Sequence, residues 1–165
     1  MKTKKIAEMG MFIALAFILS YIESLIPVSL GIPGIKPGLS NLVVMTALYR
    51  FSSRTAFGVA LVRILLTGLT FGNLSSMMYS MAGGLLSFGV MALLKKSKKF
   101  SVYGVSMAGG VSHNVGQLVM ACFLLQTKLL VYYLPFLLIA GAAAGIAVGF
   151  LSGLLLKRLP GPDDV

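Results

Sequence analysis

Long apolar runs broken by short clusters of lysine and arginine leave this chain few ways to fold. Several runs approach about 20 residues, the length of helix that crosses a hydrocarbon layer about 30 Å thick. Charged residues make up only 11% of the chain against 58% hydrophobic, whereas soluble domains carry about 25% charged residues. With a mean hydropathy of +0.96, the chain has more apolar surface than so few charges could keep in water. The pattern predicts an all-α integral membrane protein.

The spacing predicts six transmembrane helices, at about residues 6–26, 38–51, 54–71, 75–94, 102–126 and 133–156, in one domain over residues 1–159. Residues 160–165 read as a disordered tail. The basic residues set the orientation. Lys2, Lys4, Lys5, Arg50, Arg54, Lys95, Lys96, Lys98, Lys99, Lys157 and Arg158 fall on one side, whereas Lys36 and Lys128 fall on the other. Positive charge stays inside, so both termini are expected in the cytoplasm, in a multi-pass protein of a prokaryotic plasma membrane. Tyr21, Tyr79, Tyr132 and Tyr133 at outer ends, with Tyr49 and Tyr103 at inner ends, fit an interfacial belt. The net charge of +10 is therefore topological, and no nucleic-acid partner is expected. The first run is too long for a cleavable signal peptide and no small-x-small pattern follows it.

One stretch interrupts the apolar sequence. Pro27, Gly31, Pro33, Gly34, Pro37 and Gly38 cannot sit together in a helix. Helix 2 after it is about 14 residues, or about 21 Å, too short for the layer. A loop that dips into the membrane would make up the difference, which is tolerated where it lines a cavity. Lys36 is the only charge in that loop, and the loop is expected to wall an outward-facing pocket. The simpler reading is an external turn whose Lys36 reaches water.

Within the helices, polar residues fall in stripes. Ala56, Ala60, Arg63, Thr67 and Thr70 share one face of helix 3. An arginine this deep costs at least about 2.5–3.5 kcal/mol on insertion scales, so Arg63 needs an interior partner. Glu23 is the acid placed to supply it. Either an Arg63–Glu23 pair or an arginine–carbonyl bridge merely holds the bundle together, or Arg63 receives an anionic substrate group. Helix 5 carries Ser106, Gly109, Gly110, His113 and Gln117 on one face with Asn114 beside them, a polar group expensive to leave unsatisfied in lipid. A milder stripe on helix 4, Ser76, Ser80, Gly83, Gly84 and Ser87, suits packing. Helix 6 repeats glycine at 141, 145, 149 and 153, a groove for another helix of the bundle or for a separate membrane partner.

Catalytic equipment is missing. The four acids are Glu8, Glu23, Asp163 and Asp164, with no pair placed for acid–base work. One cysteine and one histidine make no metal site. There is no P-loop, and only His113 with a nearby serine could be forced into a proteolytic pair. No enzyme activity and no cofactor are expected.

Ile32-Pro33-Gly34-Ile35-Lys36-Pro37-Gly38-Leu39-Ser40-Asn41, the surroundings of Arg63, and Ser112-His113-Asn114-Val115-Gly116-Gln117 together resemble the Gx transporter family. Its members also carry the name heptaprenyl diphosphate synthase component I, and the resemblance covers nearly the whole chain. The family is similar to the substrate-binding S components of energy-coupling-factor transporters. The resemblance implies an S-component-like six-helix bundle that captures a small molecule near the outer face. It also implies docking on a transmembrane coupling subunit driven by ATPases. Those proteins dock through an alanine-x-x-x-alanine face on helix 1; here Gly10-x-x-x-Ala14 and Ala16-x-x-x-Ser20 stand in its place. Lys36, Asn41, Arg63, His113, Asn114, Gln117 and Glu23 would form the substrate site, with the positive end of helix 2 favouring an anion. The synthase name implies a different role, a non-catalytic membrane subunit of isoprenoid or quinone metabolism beside a prenyl diphosphate synthase. Prenyl chain elongation itself needs DDxxD carboxylates for magnesium, and the only aspartate pair, Asp163-Asp164, ends in Val165.

Overall fold

A computed structural model describes residues 2–25 and 38–159. Six α-helices follow one another: α1 (Lys2–Leu25), α2 (Leu39–Arg50), α3 (Ser53–Thr70), α4 (Leu74–Ser97), α5 (Val102–Leu124) and α6 (Leu134–Arg158). A short 3-10 turn, Leu129–Tyr133, precedes α6. No strand occurs among the described residues. Lys36 and the rest of the breaker-rich loop up to Pro37 lie outside the described residues, as does the tail from 160 to 165.

The expected helices are present, with ends displaced for local reasons. α4 continues through Lys95 and Lys96 to Ser97, and stops where Lys98 turns left-handed at φ 56°. Lysine is a good helix former and its charge suits a helix C-terminus, so a basic cluster extends the helix before ending it. α5 stops at Leu124, two residues short of the expected end, and Gln126 takes φ 50°. Ser52, Asn73 and Ser101 cap α3, α4 and α5 through their side chains, each satisfying an otherwise orphaned N–H. Pro135 stands in the first turn of α6, where its missing donor costs nothing.

α2 occupies the centre. Its 12 residues rise only about 18 Å, yet Val43, Val44, Met45, Thr46, Ala47 and Leu48 are all buried. Six consecutive buried residues exceed one helical turn, so no side of this segment faces outward. α1, α3 and α6 pack directly against α2. Lys95 of α4 donates to the Leu48 carbonyl and lies over the Tyr49 ring. Phe12 and Ala16 of α1, Ala56 and Val59 of α3, Phe88 and Met91 of α4, Val105 of α5 and Val148 of α6 complete the same core.

The other half of the bundle is a sandwich of α5 between α4 and α6, held by glycine. A Cβ at Gly145 would stand 2.6 Å from the Ser106 carbonyl oxygen, and one at Gly141 2.7 Å from the Gly110 carbonyl oxygen. One at Gly149 would lie 3.0 Å from Ser106 and Tyr103 of α5. Three of the four repeated glycines of α6 thus serve packing inside the bundle, where backbones approach closely. The α4 stripe packs too: Gly83 lies against α5, Gly84 against Ile64 of α3, and Ser87 donates to the Gly109 carbonyl at 2.8 Å.

The surface is the reverse of a soluble protein's. Ile6, Met11, Leu15, Ile18 and Leu25 of α1 are exposed, as are Phe136, Ile139, Ile146, Phe150 and Leu154 of α6. Among the described residues, four segments are long and apolar enough to cross a membrane: Ile6–Leu25, Ser53–Thr70, Leu74–Ser97 and Leu129–Arg158. α2 is too short for that measure, and α5 is diluted by its serine, glycine, histidine and amide stripe. An apolar surface this extensive is compatible with lipid contact.

Candidate functional site

The α2–α3 hairpin turns at Phe51-Ser52, so residues equally distant from the turn face one another along two antiparallel helices. Ser40 in the first turn of α2 thereby meets Arg63 of α3. Arg63 Nη1 donates to the Ser40 hydroxyl oxygen, and the Ser40 hydroxyl donates to Glu23 Oε2 at 2.9 Å. The other carboxylate oxygen, Oε1, accepts from the Leu39 backbone N–H. Relative exposures are 4% for Glu23, 3% for Ser40 and 7% for Arg63.

Three helices thus converge on one charged cluster. Gly38, in the left-handed region at φ 80°, opens α2 with no side-chain cap of its own. Glu23 reaches from α1 to supply that cap. A carboxylate at a helix N-terminus meets both unsatisfied N–H groups and the positive end of the dipole. Ser40 lies between opposite charges, accepting from one and donating to the other. Burial removes the screening that weakens surface ion pairs.

Part of the cluster's hydrogen-bonding capacity is unused. Arg63 Nε and Thr67 Oγ1 are buried with no hydrogen-bond partner among the described residues. They are one helical turn apart on the same face of α3.

The candidates on α5 lie elsewhere. His113 and Gln117 meet α4: a Cβ at Gly83 would come within 3.1 Å of His113 Cε1 and 2.8 Å of Gln117 Cγ. Asn114 turns to the other side of α5 and donates from Nδ2 to the Leu137 carbonyl of α6 at 2.8 Å. That bond fixes the α5–α6 interface. Asn41 is half-buried in the first turn of α2, where its backbone N–H donates to the Gly38 carbonyl at 2.9 Å. The structure brings Glu23 and Arg63 together, and places His113 and Gln117 on a different interface.

Ser40 is the residue that sequence reasoning missed. It lies in Gly38-Leu39-Ser40-Asn41, but a serine two residues after a glycine reads as an ordinary helix start. The available signal was its distance from the turn, which matches that of Arg63. Among the described residues no group of three or more histidines, cysteines or acids could hold a metal ion.

An all-helical fold with an apolar exterior and a buried, charge-balanced cluster is an organisation compatible with insertion in a membrane. The chain belongs to the heptaprenyl diphosphate synthase component I family, whose sequence profile matches residues 12–155. No curated protein and no solved structure gives a significant match.

Proposed function

We propose that this chain is the substrate-binding membrane subunit of a small-molecule uptake system, similar to an energy-coupling-factor S component. One observation carries the reading: Arg63 is buried on a helix face with a donor that finds no partner among the described residues, and the Thr67 hydroxyl beside it finds none among them either. A purely structural ion pair has no need of spare donors, and unsatisfied buried polar atoms are costly. On this reading six segments cross the cell membrane with both termini in the cytoplasm. Asn41 borders the pocket from α2, and Lys36 stands at its mouth with its charge in water. His113 and Gln117 belong to its rear wall between α4 and α5, Asn114 braces that wall from the α6 side, and a coupling subunit with ATPases supplies the energy.

A second reading has its own support in the family description, which names a component of a synthase. The chain would then be a non-catalytic membrane partner of a soluble prenyl diphosphate synthase.

Native mass spectrometry of gently extracted protein separates the two. Uptake predicts a retained small molecule that is lost in Arg63→Met while the variant remains folded. Co-purification of a soluble prenyl synthase with no retained small molecule would sink the transport reading and establish the second.

A further inference from the structure

The chemistry left open at Arg63 restricts what the pocket accepts, given the binding role proposed above. Glu23 and Arg63 are the only charged side chains buried among the described residues, so their formal charges cancel. The positive end of α2, where an anion would be drawn, already holds the Glu23 carboxylate. Nη1 of Arg63 is engaged by Ser40. Among the described residues, two buried polar groups here have no partner: the Nε–H of Arg63, which can only donate, and the Thr67 hydroxyl, which can donate or accept. Their neighbours on α3 are apolar: Val59, Ala60 and Ile64 are all buried.

We infer that Arg63 and Thr67 receive an uncharged carbonyl-type oxygen on a compact apolar body, as in an amide or a quinone, rather than a carboxylate or phosphate. A full anion would leave one buried charge uncompensated, which is strongly unfavourable away from water. A carbonyl oxygen accepts from both donors and adds no charge. The charge balance set by Glu23 therefore acts as a selectivity filter, and removing it should invert the preference.

Isosteric probes test this directly: benzamide and benzoate, with inorganic phosphate as a third probe, in thermal-shift titrations of the purified full-length chain. Fragments of this size bind weakly, so titration extends to about 10 mM. Benzamide is expected to stabilise the wild type with an apparent Kd at least about tenfold below that of benzoate, with phosphate silent. Thr67→Val should weaken benzamide about three- to tenfold, a readout that survives if a charge variant fails to fold. Glu23→Gln should reverse the order of benzamide and benzoate.

Tighter benzoate or phosphate binding to the wild type would overturn the inference and leave the binding role standing. The same holds if native mass spectrometry finds a retained carboxylate or phosphate compound. Stabilisation by none of the probes, with no retained small molecule, would overturn both, leaving the two α3 groups hydrated and structural.

Discussion

Ser40 and Arg63 are joined by a hydrogen bond across the α2–α3 hairpin, and each stands ten residues from the turn-side end of its helix, Arg50 and Ser53. Equal spacing places both at about 15 Å along their helices. The hairpin register alone therefore aligns them, and Glu23 then closes the cluster from a third helix. The arrangement ties the shortest helix of the bundle to both of its sequence neighbours.

Because the two charges are buried and linked through one hydroxyl, removing either should cost far more than removing both. Arg63→Met or Glu23→Gln alone is expected to destabilise by about 3–5 kcal/mol, as for other broken buried pairs. The double variant should cost less than either single change, so the two losses are strongly non-additive. A double-mutant cycle on unfolding in detergent measures the coupling, and additivity would show that the charges do not interact.

Ser40→Ala removes the bridging hydroxyl but keeps the charges and the helix start. A loss of about 1–3 kcal/mol is expected, the cost of leaving buried partners unsatisfied. Ser40→Thr keeps the hydroxyl and should restore more than half of that loss in the same unfolding assay.

The glycine interface of α5 and α6 should tolerate no side chain. At Gly110 a Cβ would overlap the Gly141 carbonyl, and at Gly145 it would stand 2.6 Å from the Ser106 carbonyl oxygen. Gly110→Ala and Gly145→Ala are each expected to cost about 1–3 kcal/mol, because backbone cannot yield as a flexible side chain can. At Gly10 nothing lies within 4 Å of an added Cβ. Gly10→Ala should therefore raise stability by about 0.5–1 kcal/mol through helix propensity alone.

Asn114 gives a smaller effect of a different kind. Its bond to the Leu137 carbonyl joins two helices whose backbones are already in contact. Asn114→Ala should cost about 0.6–1.7 kcal/mol, in the range of interhelical hydrogen bonds in membrane proteins. A loss of ligand retention with no change in unfolding would move Asn114 from packing to binding.

The proposed orientation can be tested without any ligand. In a Cys122→Ser background, single cysteines at Lys36 and Lys128 should react with a membrane-impermeant thiol reagent in intact cells. Cysteines at Arg54 and Lys98 should react only after permeabilisation. The opposite pattern would reverse the topology drawn from the basic clusters.

Much of this protein could be read directly from its residues. The six helices follow from apolar runs ended by glycine, proline and basic clusters, because those are local properties of the backbone. The need of Arg63 for an interior partner, and Glu23 as that partner, followed from the cost of a charge in an apolar surrounding. The glycines of α6 announced close packing, though not which neighbour they served.

Tertiary structure decided the rest. Local sequence does not say that the shortest helix is the central one; that emerges only when α1, α3 and α6 surround it. Nor could it divide the polar stripe of α5, whose neighbours Asn114 and His113 turn to α6 and α4 because successive residues diverge by about 100° around a helix axis. Ser40 became the link between two charges only through the hairpin register and the approach of α1. The sequence alone determined which residues demand partners in an apolar environment, and the packing of three helices determined which partners they found.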